Sequence, residues 1–116
     1  MPPLEDCSKL KIAVASSDGE NVDSHFGKAS KFIIYEFDGE KAEIFDEREV
    51  NVNPAEKHQW MKALEAVRDC DIVIAVQIGL RAKFGLEEAG IRFVSDEGPI
   101  EDVIRRYIRH YKFMKS

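Results

Sequence analysis

The chain is poor in cysteine, with only Cys7 and Cys70 among its 116 residues. A disulfide framework needs more of them at regular spacing, and no CxxC pair is present for zinc or redox chemistry. Long apolar runs are missing as well. The longest, Ile72 to Val76, is far short of the ~20 residues a membrane helix requires, so no membrane partner is expected. The opening Met1-Pro2-Pro3-Leu4-Glu5-Asp6 has no basic segment followed by an apolar one, and no secretory leader is expected. Positive charge is not in excess either. The formal net charge of -5 argues against nucleic acid, whose phosphates demand a dominant basic face. A small anionic ligand is still admissible, because it responds to the local field. Absent too are GxSxG, a P-loop, HExxH and a Gly-rich dinucleotide fingerprint, so no enzyme is expected. These absences point to a soluble cytoplasmic protein.

What is present is an ordinary globular composition, 44% hydrophobic and 34% charged, in a length that suits one core. Residues 1–9 are expected to form a short N-terminal extension and residues 10–116 a single domain. Leu10 to Ala15 reads as a buried strand, and the polar stretch Ser16 to Ser24 as a loop. Phe32 to Phe37 is a second strand, and Asp38-Gly39 predicts a two-residue hairpin turn. The third strand, Lys41 to Glu47, carries the charge of an edge. Asn53-Pro54-Ala55-Glu56 predicts a helix start, with Asn53 as cap and Met61, Leu64 and Val67 as its apolar stripe beside Trp60. The unbroken run Ile72–Val76 predicts a central strand covered on both faces. Gly79 opens a helix that Gly90 stops, and Ile91 to Val94 is a last strand. Gly98-Pro99 begins the final helix, with Ile100, Val103, Ile104, Tyr107, Ile108 and Tyr111 at helical spacing. Its acids come first and its bases last, complementing the helix dipole. The order β-β-β-α-β-α-β-α implies a mixed five-stranded sheet flanked by helices, an α/β fold.

In such sheets ligands bind beyond the carboxyl ends of the parallel strands. Two loops fall there: Ser16 to Gly27 after the first strand, and Gln77-Ile78-Gly79-Leu80 after the fourth. If those strands are neighbours, both loops overhang one crevice. His25-Phe26-Gly27 ends the first loop. Imidazole can ligate a soft metal or bond an anion, Phe can exclude solvent, and Gly admits close backbone approach. Equally, His25 can simply cap the turn before Lys28. Gly79 sits at a helix N-terminus, where free N–H groups favour an anion. Arg81 and Lys83 follow in the first turn, an unfavourable place for cations unless an anion offsets them; the plain alternative is a turn glycine with two solvated bases. His58 lies off the apolar stripe and reads as exposed, Cys70 as a small core residue, and Cys7 as a thiol in the extension. A Mg-dependent hydrolase would want carboxylates on the central strands. The first strand has none, and Asp18 and Asp71 fall at opposite strand ends.

Several segments, in order, resemble the dinitrogenase iron-molybdenum cofactor biosynthesis family. They are Lys11-Ile12-Ala13-Val14-Ala15-Ser16-Ser17, His25-Phe26-Gly27-Lys28-Ala29 and Phe32-Ile33-Ile34-Tyr35, then Asn53-Pro54 with His58. Asp71-Ile72-Val73-Ile74-Ala75, Ile78-Gly79 and Leu86-Glu87-Glu88-Ala89-Gly90-Ile91 complete the set, which spans Lys11 to Tyr107. The resemblance implies a ribonuclease H-like fold with strand order 3-2-1-4-5 and the second strand antiparallel. It implies an accessory protein of nitrogen fixation that carries an anionic iron-molybdenum cofactor or iron-sulfur cluster precursor between donor and acceptor proteins. Mapped by position, His25 is the metal ligand or contact, flanked by Phe26 and Gly27, with Ser17, Gly79 and His58 as further cofactor-binding residues. Neither loop contains cysteine, which speaks against thiolate ligation there. The alternative is an interaction or regulatory domain of the same fold with no cluster.

Overall fold

A computed structural model of the chain describes residues 9–51 and 60–115. The elements are β1 (Leu10–Ser16), β2 (Asn21–Val22), a 3-10 turn (Phe26–Lys28), β3 (Lys31–Phe37), β4 (Ala42–Glu49), α1 (Trp60–Ala66), β5 (Ile72–Ala75), α2 (Leu80–Glu88), β6 (Arg92–Ser95), β7 (Gly98–Pro99) and α3 (Ile100–Lys115). Five strands form one mixed sheet in the order β4-β3-β1-β5-β6. β3 runs antiparallel to β1 and to β4, while β5 lies parallel to β1 and β6 parallel to β5.

The alternation along β1 divides the core. Ile12 and Val14 face one layer with Ile72 and Ile74, where Ile100, Val103, Ile104 and Tyr107 of α3 cover them. Ala13 and Ala15 face the other layer, under α1 and α2. Alanine at those two positions leaves room for the rings of Phe26 and Phe32, which meet at a centroid distance of 5.7 Å. Each large apolar side chain so buried contributes about 1.5–3 kcal/mol. Ile72–Ala75 is buried throughout, as a strand with helices on both faces must be.

Four local readings change. The stretch after β1 is not wholly loop: Asn21–Val22 pairs antiparallel with Gly98–Pro99, so those last residues form a strand and the helix begins at Ile100. The β3–β4 connection is wider than two residues, because Phe37 pairs with Ala42. The Asp38 carboxylate organises it by accepting the N–H groups of Glu40 and Lys41, both at 2.9 Å, while Gly39 supplies φ of 99°. Met61 is not on the buried stripe of α1: it is 57% exposed, and the inward residues are Trp60, Ala63, Leu64 and, just past the helix, Val67. That set follows the i, i+3, i+4, i+7 spacing that the stripe through Met61 misses by one position. Finally, β4 runs on to Glu49. The predicted cap at Asn53-Pro54, His58 and Cys7 lie outside the described residues.

Candidate functional site

Because β1 and β5 are neighbours and parallel, the loops that follow them leave the sheet side by side. Two backbone hydrogen bonds join them. The Val76 N–H donates to the Ser24 carbonyl at 3.0 Å, and the Phe26 N–H donates to the Gln77 carbonyl at 2.9 Å. His25, between the two tied residues, is therefore fixed beside the segment that leads to Gly79. A third bond, from Lys28 N–H to the His25 carbonyl at 3.0 Å, closes the 3-10 turn.

The first loop holds its shape through its own side chains. Asp23 accepts the Ser17 N–H at 2.9 Å, the Ser17 hydroxyl at 2.6 Å and the Ser24 hydroxyl at 2.9 Å. Asp18 accepts N–H groups from Glu20 and Asn21 at 2.8 and 2.9 Å, which hold its carboxyl well below the usual carboxylate range. The buried Ser16 hydroxyl accepts the N–H of Gly19, whose φ is 78°. On the far side, the Ile100 N–H donates to the Glu20 carbonyl at 2.9 Å, tying the loop to the start of α3.

Each residue singled out from sequence now has a place. His25 is exposed and precedes the 3-10 turn without using its side chain as a cap. The ring of Phe26 is fully buried, so it supports the loop from below rather than walling a ligand on the surface. A Cβ built on Gly27 would meet Trp60 Cβ at 3.5 Å, an ordinary contact. Ser17 spends both its donors on Asp23 and acts on the loop's shape. Gly79 caps α2 with φ -76° and ψ 160°, no side-chain bond, and open space within 4 Å of an added Cβ. The first N–H groups of α2 thus receive no side-chain cap from Gly79. Asp23, the organiser of the first loop, escaped the sequence reading; its signal was a cluster of Ser and Asp, whose side chains bond to nearby backbone.

Lys28, Arg81 and Lys83 are exposed, and among the described residues none of them forms an ion pair. Most other cations among the described residues do. An exposed imidazole, a helix N-terminus and three unpaired cations on two adjoining segments suit an anion. Cys70 is remote from this: it packs in the core, where burial pushes its thiol up to about 12 and leaves it unreactive. Among the described residues no helix is long and apolar enough to cross a membrane.

Comparison with known proteins decides the family. The model of the dinitrogenase iron-molybdenum cofactor family matches residues 8–110, nearly the whole chain. The chain belongs to this family. The FeMo cofactor biosynthesis protein NifB of Chlorobaculum tepidum is 31% identical over 106 residues, covering 90% of this chain and 25% of that protein. Protein NifX of Klebsiella pneumoniae is 29% identical over 103 residues, covering 79% of this chain and 65% of that protein. The chain thus spans a quarter of NifB and about two thirds of NifX. Among solved structures, PH0822 superposes with a TM-score of 0.70 at 29% identity, covering 87% of this chain and 90% of that one. In this member of the dinitrogenase iron-molybdenum cofactor family, the joined loops, the free end of α2 and the unpaired cations all fall within the matched span.

Proposed function

We propose that this protein binds an anionic iron-molybdenum cofactor, or an iron-sulfur precursor of it, and hands it on as an accessory factor in nitrogenase cofactor assembly. Membership of the family supports the ligand class, and relatives named for FeMo cofactor biosynthesis support the setting. The observation that supports the site is the pair of hydrogen bonds, Val76 to Ser24 and Phe26 to Gln77, which ties the segment holding His25 to the segment that leads into α2. In this reading His25 makes one metal contact, or one hydrogen bond to the cluster's sulfur envelope. The N–H groups after Gly79 stabilise its negative charge, and Lys28, Arg81 and Lys83 supply the field that attracts it. Phe26, Gly27 and Ser17 set the loop's position, and His58 is a further contact from the segment preceding α1. The protein performs no catalysis; it holds and releases, with donor and acceptor proteins on either side. The reading also places residues 10–116 in one domain of ribonuclease H-like type, which the antiparallel β3 beside the parallel β1, β5 and β6 supports.

Anaerobic mixing with the isolated cofactor precursor tests this, with iron and visible absorbance followed through gel filtration. Wild type should co-elute with iron, and His25→Ala should lose most of it. Equal uptake by both would move the site elsewhere; no uptake by either would reject cluster carriage. A second reading, an interaction domain without a cluster, draws on one observation: neither loop contains a cysteine. It predicts a protein partner in pull-downs together with no cluster absorbance.

A further inference from the structure

At the opposite end of the sheet, where β5 and β6 begin, the C-terminal half of α3 borders a groove of about 510 Å³. That size falls in the range of small-molecule sites, which are mostly apolar with a few placed polar groups. Leu10, Val94 and Tyr107 supply apolar wall, and Arg92, His110 and Asp71 are its charged or polar members. Arg92 is exposed and, among the described residues, pairs with no acid. Arg106 on α3 shows the contrast, since Asp96 grips it with two bonds of 3.0 and 2.9 Å.

We infer that this groove is a second ligand site, for a small organic monocarboxylate with an aromatic or branched aliphatic body. The chemistry selects that class. A guanidinium presents paired donors in the plane that a carboxylate matches, and a neighbouring imidazole adds a further donor or acceptor. The apolar wall requires a hydrophobic body to cover it. Asp71 restricts the charge: it lines the groove, its Oδ2 accepts the Lys11 N–H at 2.9 Å, and its negative charge disfavours dianions and trianions. The site is separate from the joined loops, since Leu10 and Asp71 mark the strand ends away from Ser16 and Ala75.

The test is an NMR titration of the ¹⁵N-labelled full chain with 3-phenylpropionate, using neutral 3-phenylpropanamide as its isostere. The carboxylate should give saturable shifts centred on Ile72, Val94 and Tyr107. Affinity should fall about tenfold for the amide, and as much for the carboxylate on Arg92→Gln. His25→Ala should bind the probe like wild type. Arg92 is exposed, so the variant's own spectrum reports that it remains folded. Equal binding of the amide, undiminished binding by Arg92→Gln, or no saturable shift up to about 10 mM would each overturn the inference.

Discussion

Lys11, Arg48 and Asp69 are held to one another, whereas Lys28, Arg81 and Lys83 are held to no acid among the described residues. In the first group Arg48 reaches from the edge strand to both carboxylate oxygens of Asp69 and to the Ala66 carbonyl at 2.8 Å. Lys11 adds a 3.3 Å contact to Asp69 and stands 4.7 Å from the centre of the Phe45 ring. Those charges tie β4, β1 and the turn before β5 together. The second group ties nothing together. It lies on the two segments that the backbone bonds at Ser24 and Gln77 bring side by side. Charge that is satisfied internally serves the fold, and charge left open in a fixed place is available to a ligand.

The largest effect should come from removing what the open group stands on. Phe26 is fully buried against Phe32 beneath His25. Phe26→Ala should cost about 3–5 kcal/mol in denaturant unfolding, through the lost burial and the cavity left behind. Cluster uptake should fall with it. A loss under about 1 kcal/mol would mean that the ring is not part of the core.

Next in size is the closed group. Asp69→Asn should cost about 1 kcal/mol, at the upper end for a pair whose carboxylate is 48% exposed, because the contact is two-pronged. The Arg48 hydrogen bonds hold the Asp69 carboxyl well below its ordinary value. Its folded pKa is thus below the unfolded one, so this stabilisation is complete above about pH 4 and is lost as pH falls through the folded value. The gap between variant and wild type should therefore narrow in acid. Cluster uptake should stay at the wild-type level; a variant that lost uptake while folded would erase the distinction between the two groups.

Replacing Lys28, Arg81 and Lys83 together by glutamine should give the converse. Stability should hold or rise by up to about 1 kcal/mol, since no ion pair among the described residues is lost and two cations leave the first turn of α2. Uptake should weaken by about an order of magnitude at low salt, and the difference from wild type should shrink as salt screens the field. An unchanged salt dependence would leave these cations as ordinary solvated charges.

Much of this architecture was legible in the sequence, wherever the signal is local. Ile72–Ala75 announces a covered strand by its unbroken apolar run, and Gly90 ends α2 with φ of 77°. The adjoining loops were legible only as a condition, because their meeting depends on β1 and β5 being neighbours. The β2–β7 ribbon was not legible: two residues carry no periodicity, and their partners are far away in the chain. Met61 was misplaced because its helix contains two overlapping apolar spacings, and only packing chooses between them. The contrast between closed and open charges was hidden for a related reason. Arg48 and Arg81 look alike in sequence, and only the tertiary fold brings an acid to one of them.

The smallest effect should be the most discriminating. Gly79 has no steric reason to be glycine: its φ is negative and an added Cβ meets nothing within 4 Å. Serine is a better helix cap, so Gly79→Ser should stabilise the protein by a few tenths of a kcal/mol. It would do so by turning its hydroxyl oxygen onto the first N–H groups of α2, the same donors assigned to the anionic cluster. Stability and uptake should consequently move in opposite directions, with iron co-elution reduced in a protein that unfolds at slightly higher denaturant. If uptake rose or held steady, the end of α2 would be a structural terminus only. The cluster would then be held by His25 and the cations without it.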